Sequence, residues 1–385
     1  MKVIIAMDSF KESMTSLEAG EATRRGILAV MPETEVLVLP LADGGEGTAQ
    51  ALTAGLGGEM VSVEVTGPLG EPVTARYGIL PDQNMAIMEM AQAAGLTLVP
   101  IQKRNPLKTS TLGVGEMIRD ALDRECRSFL IGIGGSATSD GGLGMLSALG
   151  FDFLDAKGRP AGICGENLGR VVQIDEGRAD PRLAECRFQI AVDVSNPLCG
   201  PKGAAAVYAP QKGAGPSEVQ ALEEGMRNFA AITEVHVGAD WSNIPGAGAA
   251  GGLGFAFLAY LRGELRPGAQ IILEVTEFER HLTGADFVLT GEGKLDAQTA
   301  MGKAPVGAAE LAEKFGIPVI AFAGGIGEGA QICLDHGIRA YFPVVRGPSS
   351  LAEAMEPRTA ARNLEQAVQQ VFRLMQIMAQ RRSDG

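Results

Sequence analysis

Apolar runs of strand length alternate along this chain with amphipathic stretches of helix length. Residues 3–7 and 35–39 have strand patterns, and each is followed by a helical pattern, at about 16–30 and 47–56. The same rhythm returns late in the chain, with strand patterns at 287–290, 318–322 and 340–342. Strands separated by helices favour a parallel sheet with crossover helices. The sequence therefore predicts an α/β fold with a doubly wound, mostly parallel sheet.

The middle of the chain follows this rhythm less clearly. Turn signals such as Gly158-Arg159-Pro160 and Gly200-Pro201 are frequent there, and the alternation resumes only near residue 285. We therefore predict a discontinuous first domain at 1–150 and 285–385, with a second α/β domain at 151–284 inserted into it. Two β patterns within 59–81, joined by a Gly- and Pro-containing turn, predict an antiparallel excursion.

Charge and composition exclude several classes of partner and site. The net charge of −13 and pI near 4.9 argue against nucleic acid and anionic membranes, which attract basic surfaces. The apolar runs are shorter than the ~18 residues that a membrane span needs. An early acidic residue, Asp8, argues against a signal peptide, and five cysteines without a Cys-x-x-Cys pair agree with reduced thiols. A cytoplasmic location is expected. The three histidines are scattered and do not favour a zinc or non-haem iron site.

Glycine is unusually frequent and is clustered. It accounts for 52 of 385 residues, about twice the usual ~7%. Most clusters follow a predicted strand, at 43–48, 132–142, 290–296 and 323–325. Ligands of open parallel sheets bind beyond the carboxyl ends of the strands, and glycine lets backbone amides approach an anion there. One such loop is ordinary in a turn or a cap, whereas several on one sheet edge predict a phosphate site.

Known nucleotide motifs do not identify the ligand. The P-loop pattern is absent, because Gly302-Lys303 is followed by Ala304 and lacks the upstream glycine. Gly132-x-Gly134-x-x-Ala137, with Asp152 further on, fits the dinucleotide fingerprint formally, although it lies far inside the chain. An NAD(P)-dependent hydroxy-acid dehydrogenase and a non-catalytic nucleotide- or phosphate-binding sensor therefore remain alternatives to a kinase.

Charged side chains within or near these loops supply the chemistry that a phosphate site needs. The cationic candidates are Lys11, Lys294 and Lys303, with Lys202 and Lys212 in the middle region. The acidic candidates are Asp8, Asp43, Glu46, Asp140, Asp193, Glu292 and Asp296. Carboxylates in phosphate-binding loops are expected where Mg²⁺ bridges them to phosphate oxygens. For any single residue, a surface lysine or a helix-capping carboxylate is the alternative interpretation.

Long segments of this sequence resemble the bacterial glycerate kinase type-1 family. They cover nearly the whole chain in order: residues 8–11, 40–48, 66–70, 132–138, 140–142, 193–198, 209–214, 245–254 and 290–299. Met7 stands where the family usually has proline and Ala209 where it usually has glycine, and neither change removes a reactive group.

The resemblance implies a fold and an activity. It implies a flavodoxin-like domain with a second inserted domain, ATP and Mg²⁺ as cofactors, and D-glycerate as the small-molecule substrate. The product would be a phosphoglycerate, with 2-phosphoglycerate expected, in glyoxylate or sugar-acid catabolism. A homo-oligomer is left open.

With that activity in view, roles can be assigned to the candidate residues. Lys11, Asp193 and Asp296 are the expected catalytic residues. Asp43, Asp193 and Asp296 are the expected Mg²⁺ ligands, and the sequence does not rank them as ligand or base. Residues expected to bind ATP phosphates or glycerate are Ser9, Gly44, Gly45, Gly134, Gly135, Ser136, Thr138, Gly291, Glu292, Gly293 and Lys294.

Overall fold

A computed structural model describes residues 1–383, which form two compact units. Unit 1 contains Met1–Asp43, Ala54–Leu56 and the chain from Ala269 onward, and unit 2 contains Gly44–Thr53 and Gly57–Gly268. Among the described residues, no helix combines the length and the apolar composition that a membrane crossing requires.

Strands and helices alternate through both units. The strands are β1 (Lys2–Met7), β2 (Glu35–Pro40), β3 (Glu59–Thr66), β4 (Pro72–Leu80), β5 (Met85–Glu89), β6 (Ser128–Gly132), β7 (Asp152–Leu154), β8 (Gln173–Asp175), β9 (Arg187–Ala191), β10 (Glu264–Arg266), β11 (Phe287–Leu295), β12 (Val319–Ile326) and β13 (Ile338–Pro343). The helices are α1 (Ser16–Leu28), α2 (Thr48–Gly55), α3 (Ala91–Ala94), α4 (Leu112–Asp123), α5 (Leu143–Ala148), α6 (Ala204–Tyr208), α7 (Pro216–Val237), α8 (Ala249–Leu261), α9 (Gly268–Val275), α10 (Phe278–Leu282), α11 (Ala304–Lys314), α12 (Leu351–Met355) and α13 (Pro357–Ser383).

Unit 1 has a parallel five-stranded sheet in the order β13-β12-β11-β1-β2. Counted along the chain within this unit, that order is the flavodoxin-like 2-1-3-4-5. Alternate residues of β1 contribute to different cores, since Val3 and Ile5 pack with α1 and α13 while Ile4 and Ala6 pack with α11. Apolar residues therefore cover both faces of the sheet. The predicted doubly wound α/β class is confirmed.

Unit 2 has a six-stranded sheet in the order β10-β9-β6-β5-β4-β3. β5, β6, β9 and β10 run parallel, whereas β3 and β4 pair antiparallel with each other and β4 pairs antiparallel with β5. The strand patterns within 59–81 thus form the expected antiparallel excursion. A separate core cluster, rich in Phe, Leu, Met and Ala, fills this unit.

The division between the units differs from the predicted boundaries at 150 and 284. β6 pairs with β9 from Ser128↔Arg187 onward, so residues 57–150 belong with the middle region. The chain passes between the units at Asp43/Gly44 and at Gly268/Ala269, and the short segment Ala54–Leu56 also belongs to unit 1. Hydrophobic periodicity identifies a buried strand but carries no information about which sheet the strand joins. The flavodoxin-like unit is accordingly smaller than expected.

One buried hydroxyl joins the ends of the first two strands of unit 1. Ser16 Oγ donates to the carbonyl of Met7 at 2.7 Å and accepts the N–H of Leu41 at 3.0 Å. Thr15 and Glu18 cap the same helix start reciprocally, which fixes where α1 begins. The segments that leave β1 and β2 are therefore held together directly after each strand.

β11 and β12 approach so closely that a side chain on Gly291 has no room. A Cβ there would clash with the carbonyl oxygen of Phe322, a backbone atom that cannot turn away. We expect Gly291→Ala to destabilise the protein by about 3 kcal/mol, the upper end of the cost of overpacking. Urea denaturation should show a lower midpoint.

Gly325→Ala is the matched control on the neighbouring strand, because the nearest atom to its Cβ would be 3.9 Å away. Its unfolding midpoint should stay close to that of the wild type. Equal midpoints for the two variants would contradict the packing argument.

Candidate active site

Two buried carboxylates lie side by side at the carboxyl end of the unit 1 sheet. Asp8 follows β1 directly, and its N–H donates to the carbonyl of Gly291 at 2.8 Å. Glu292 is the next residue of β11, so the two acids occupy neighbouring strands. Their exposed fractions are only 6% and 7%. We call Asp8, Glu292 and Asp43, which follows β2, the acidic cluster.

The acidic cluster is electrostatically strained. The pKa of Asp8 is raised to about 7, mainly by burial and also by the negative charges of Asp43 and Glu292. The N–H of Ser9, which donates to Asp8 Oδ1 at 2.6 Å, and the charge of Lys11 act in the opposite direction. A cation at this site would favour the ionised forms of Asp8 and Glu292.

Glu292 has partners that hold its position. Thr299 Oγ1 donates to Glu292 Oε1 at 2.5 Å, and Lys303 Nζ lies 3.8 Å from Oε2. Burial is the main cause that raises the pKa of Glu292, while Thr299, Lys303 and Lys11 lower it. The sequence predicts Glu292 as a phosphate-binding residue of a loop, whereas β11 extends through Leu295 and places Glu292 in a strand, with its buried carboxylate beside Asp8.

Asp296 and Lys294 form an ion pair after the acidic cluster on β11. Their charged atoms lie 3.1 Å apart, and Asp296 Oδ1 also accepts the N–H of Gln298 at 2.9 Å. The hydrogen bond from Lys294 is the main cause that lowers the pKa of Asp296, so this carboxylate stays ionised. Lys11 lies across from Gly293, since a Cβ on that glycine would be 3.6 Å from the Lys11 backbone nitrogen.

In unit 2, the loop after β6 has solvent-exposed backbone. Gly134 and Gly135 are exposed, and a Cβ on Gly134 would meet no atom within 4 Å. Gly135 has φ of +72°, which favours glycine. The N–H of Leu96 donates to the carbonyl of Gly135 at 2.8 Å, and the N–H of Ala137 to that of Ala94 at 2.9 Å. The loop is therefore fixed while its glycine peptides face solvent.

Behind this loop the predicted residues Ser136 and Thr138 are buried. Lys212 Nζ donates to Ser136 Oγ at 2.8 Å and to the carbonyl of Thr138 at 2.5 Å. Lys212 is 1% exposed, and burial lowers its pKa to about 7. Asp140, in the same loop, accepts hydrogen bonds from Thr111 and from backbone amides of the α5 start, so it is a structural cap.

The other predicted residues of unit 2 lie at the carboxyl end of β9. A Cβ on Gly44 would stand 2.5 Å from that of Ala191, the last residue of the strand. Asp193, two residues further on, is exposed and accepts the N–H of Gly268 at 3.2 Å. Gly45 is half-buried next to Gly44. Close packing explains the glycine at 44 without a ligand.

The predicted site residues thus fall into two groups, one in each unit. Unit 1 holds Ser9, Lys11, Asp43, Gly291, Glu292, Gly293, Lys294 and Asp296, and unit 2 holds Gly44, Gly45, Gly134, Gly135, Ser136, Thr138 and Asp193.

Three polar residues close to the predicted site residues do not belong to the set that the sequence predicts. Asp8, directly after the strand pattern at 3–7, and Lys212 are among the charged candidates of the sequence, but neither is among its expected site residues and no motif indicates their burial. No sequence motif indicates a role for Glu89. It ends β5, and its carboxylate accepts the amides of Gly47 and Ala49 at the start of α2.

The donor set of unit 1 fits Mg²⁺. Among residues 1–383, no three His, Cys, Asp or Glu side chains are grouped so that they alone could hold a metal ion. Mg²⁺ usually takes one or two carboxylates and completes its shell with water and phosphate oxygens. Asp8 and Asp43 repel each other enough to raise the pKa of Asp8, and a divalent cation would relieve that repulsion.

The structure does not place the dinucleotide fingerprint in the context of a dinucleotide-binding fold. Asp152 lies on β7, which pairs antiparallel with β8 in a separate two-stranded sheet, and it forms an ion pair with Arg178. A ribose-binding acid of a dinucleotide fold would follow a strand of the main parallel sheet. The geometry therefore gives the dehydrogenase alternative no support.

Replacing the Asp8 carboxylate should stabilise the protein in a pH-dependent way. Well below pH 4 Asp8 is protonated in both folded and unfolded chains, and from there the cost of its buried charge grows until about pH 7. Asp8→Asn keeps an acceptor for Ser9 and removes this cost, so stability should rise by up to about 4 kcal/mol above pH 7. Denaturant midpoints at pH 5 and pH 8 measure it.

The gain from Asp8→Asn should be clearly larger at pH 8 than at pH 5. Asp335→Asn is the control, since Asp335 is exposed in the same unit and its carboxylate is not desolvated. A gain that is equal at the two pH values, or a loss at pH 8, would show that the charged carboxylate is not a burden to the fold.

Known proteins match this chain over nearly its full length. The model of the glycerate kinase family matches residues 3–376. A glycerate kinase of Halalkalibacterium halodurans is 47% identical over 369 residues, covering 96% of this chain and 97% of the relative. A glycerate 2-kinase of Escherichia coli is 42% identical over 354 residues, covering 92% and 93%.

A solved structure agrees with the fold. The crystal structure of a Salmonella typhimurium protein, described as a candidate glycerate kinase 2, superposes with a TM-score of 0.91 at 41% identity and covers 99% of each chain. The resemblance seen in the sequence motifs is confirmed. On this evidence, the chain belongs to the glycerate kinase family.

Proposed function

We propose that this protein transfers the γ-phosphoryl group of ATP to D-glycerate and forms 2-phosphoglycerate. The observation that carries the proposal is the acidic cluster with its lysines at the carboxyl end of a flavodoxin-like sheet, in a chain of the glycerate kinase family. The Escherichia coli relative named glycerate 2-kinase supports the choice of the 2-hydroxyl. Five free cysteines support action in the reducing cytoplasm.

Unit 1 supplies the charges that phosphoryl transfer requires. Asp8 and Asp43 would hold Mg²⁺, which, when bound, neutralises phosphate oxygens. Lys11 acts on an anionic group, either the glycerate carboxylate or the transferring phosphoryl group. Lys303 and Thr299 orient Glu292, so that its carboxylate keeps its place beside Asp8.

Unit 2 supplies backbone donors for oxyanions. The exposed peptides of Gly134 and Gly135 can approach a phosphate or carboxylate without side-chain hindrance. Asp193 and Asp296 are the proposed acceptors of the hydroxyl proton, because each follows the carboxyl end of a parallel strand and Asp296 is held ionised. Phosphoryl transfer depends mainly on such positioning and charge neutralisation.

The activity is tested directly by its product. Purified protein should consume ATP only when D-glycerate and Mg²⁺ are both present, and ³¹P NMR should show a phosphate ester on the 2-hydroxyl. An ester on the 3-hydroxyl would correct the proposed position of phosphorylation but would still support kinase activity. A change in NAD(P)H absorbance with a hydroxy acid, or saturable ATP binding without turnover, would support a dehydrogenase or a sensor instead.

Lys11→Ala separates the two roles open to this side chain. We expect kcat/KM for glycerate to fall by roughly 100-fold or more, as for the loss of one charged donor to a transition state. A carboxylate anchor predicts mainly a higher KM for glycerate, whereas neutralisation of the transferring group predicts a lower kcat. Steady-state kinetics with each substrate varied in turn distinguishes them.

Lys314→Ala is the matched control, because Lys314 is an exposed lysine at the end of α11 in the same unit. Its kinetics should equal those of the wild type. Wild-type kinetics for Lys11→Ala as well, with unchanged folding, would remove Lys11 from the site and transfer the cationic role to Lys294.

A further inference from the structure

Lys212 is a buried cation that the roles described so far do not use. It ends a short 3₁₀ turn at Pro210–Lys212, and its side chain is enclosed within unit 2. Two of its three N–H groups donate to the loop after β6, to Ser136 Oγ and to the carbonyl of Thr138. A lysine is rarely enclosed in this way, since removing its charge from water is costly. Because burial of the charge is costly, we expect the contact between Lys212 and the loop to serve a function.

The contact determines the direction of the Ser136 hydroxyl. When Lys212 is protonated, it has three donors and no acceptor, so Ser136 Oγ accepts the hydrogen bond from Lys212 Nζ. The single Ser136 proton is then free to donate elsewhere. Ser136 is 9% exposed and directly follows the exposed Gly134 and Gly135 in the loop.

The charge of Asp140 supports this direction. Asp140 favours the protonated form of Lys212 and opposes the effect of burial on its pKa. Asp140 itself is fixed by the backbone and side chain of Thr111 at 2.7 Å each. Two unpartnered hydroxyls, Thr138 Oγ1 and Ser139 Oγ, are buried in the same segment, but neither receives a bond from Lys212. Among these three hydroxyls, Lys212 therefore determines the hydrogen-bond direction of Ser136 alone.

We propose that Lys212 is a positioning residue that fixes the Ser136 hydroxyl as a hydrogen-bond donor to an oxyanion bound on the Gly134–Gly135 loop. The oxyanion is a phosphate of ATP or the carboxylate of glycerate, so the inference rests on the proposed function. Lys212 does not touch the ligand. It acts through Ser136 and through the Thr138 carbonyl, which anchors the loop from behind.

A double-mutant cycle tests the proposal. Ser136→Ala should raise KM roughly 10- to 100-fold for one substrate only, the effect expected for a lost hydrogen bond to a charged group. A change confined to glycerate identifies the carboxylate, and a change confined to ATP identifies a phosphate. In a Lys212→Met background, the further effect of Ser136→Ala should largely disappear, because the hydroxyl is no longer directed.

Ser139→Ala is the matched control, since it removes a buried hydroxyl three residues away that Lys212 does not contact. It should leave both KM values unchanged. A purely structural Lys212 predicts a lower melting temperature with independent, multiplicative effects of the two substitutions, and that result would overturn the proposal. Ser136→Ala alone suffices if Lys212→Met does not fold, because unchanged KM values would also overturn it.

Calorimetry separates a failure of this inference from a failure of the proposed function. Binding of ATP and of D-glycerate is measured for the wild type and for Ser136→Ala. If the wild type shows no glycerate-dependent turnover, the proposed function fails, yet a weaker affinity of Ser136→Ala for either compound still supports the donor role. Equal affinities of both proteins for both compounds refute that role.

Discussion

The parallel pairing of β1 with β11 joins the beginning of the chain to a strand that follows it by almost 300 residues. Thr290 Oγ1 reinforces it by donating to the carbonyl of Ala6, 284 positions earlier, at 2.7 Å. The pairing places Asp8 beside Glu292, and both side chains are buried there. The flavodoxin-like order, the acidic cluster and the insertion of unit 2 between these strands all depend on it.

Burying like charges together is unfavourable for folding. A cluster of buried carboxylates is therefore expected where it serves a function that compensates for the lost stability. Natural proteins commonly keep such strain at functional sites, where stability is exchanged for activity. The partners of the acidic cluster offset the cost only in part, since Ser9 and Lys11 act on Asp8 while Thr299 and Lys303 act on Glu292. In the proposed function, a divalent cation bound by Asp8 and Asp43 would offset the remaining repulsion.

Much of the fold could be predicted from the sequence, because strand and helix periods are local properties. β1, β2 and the antiparallel pair β3–β4 lie where their patterns indicated. The assignment of β5 and β6 to a sheet is not local, since β6 pairs with β9 across 59 positions, and the domain boundaries differ accordingly. Glycine-rich loops indicated where a ligand could bind, but the burial of Asp8 and Lys212 arises only from contacts between distant segments.

The glycines themselves show why composition could indicate a phosphate site without defining it. Gly44 and Gly291 are required because another part of the backbone or a Cβ occupies the space of their side chains. Gly134 instead has open space around it and lies in a loop fixed on one side by α3 and on the other by Lys212. Both kinds lie within or directly after parallel strands and look alike in sequence. Only the second kind leaves a peptide accessible to an anion, and this accessibility is why we propose the loop after β6 as the anion-binding element of unit 2.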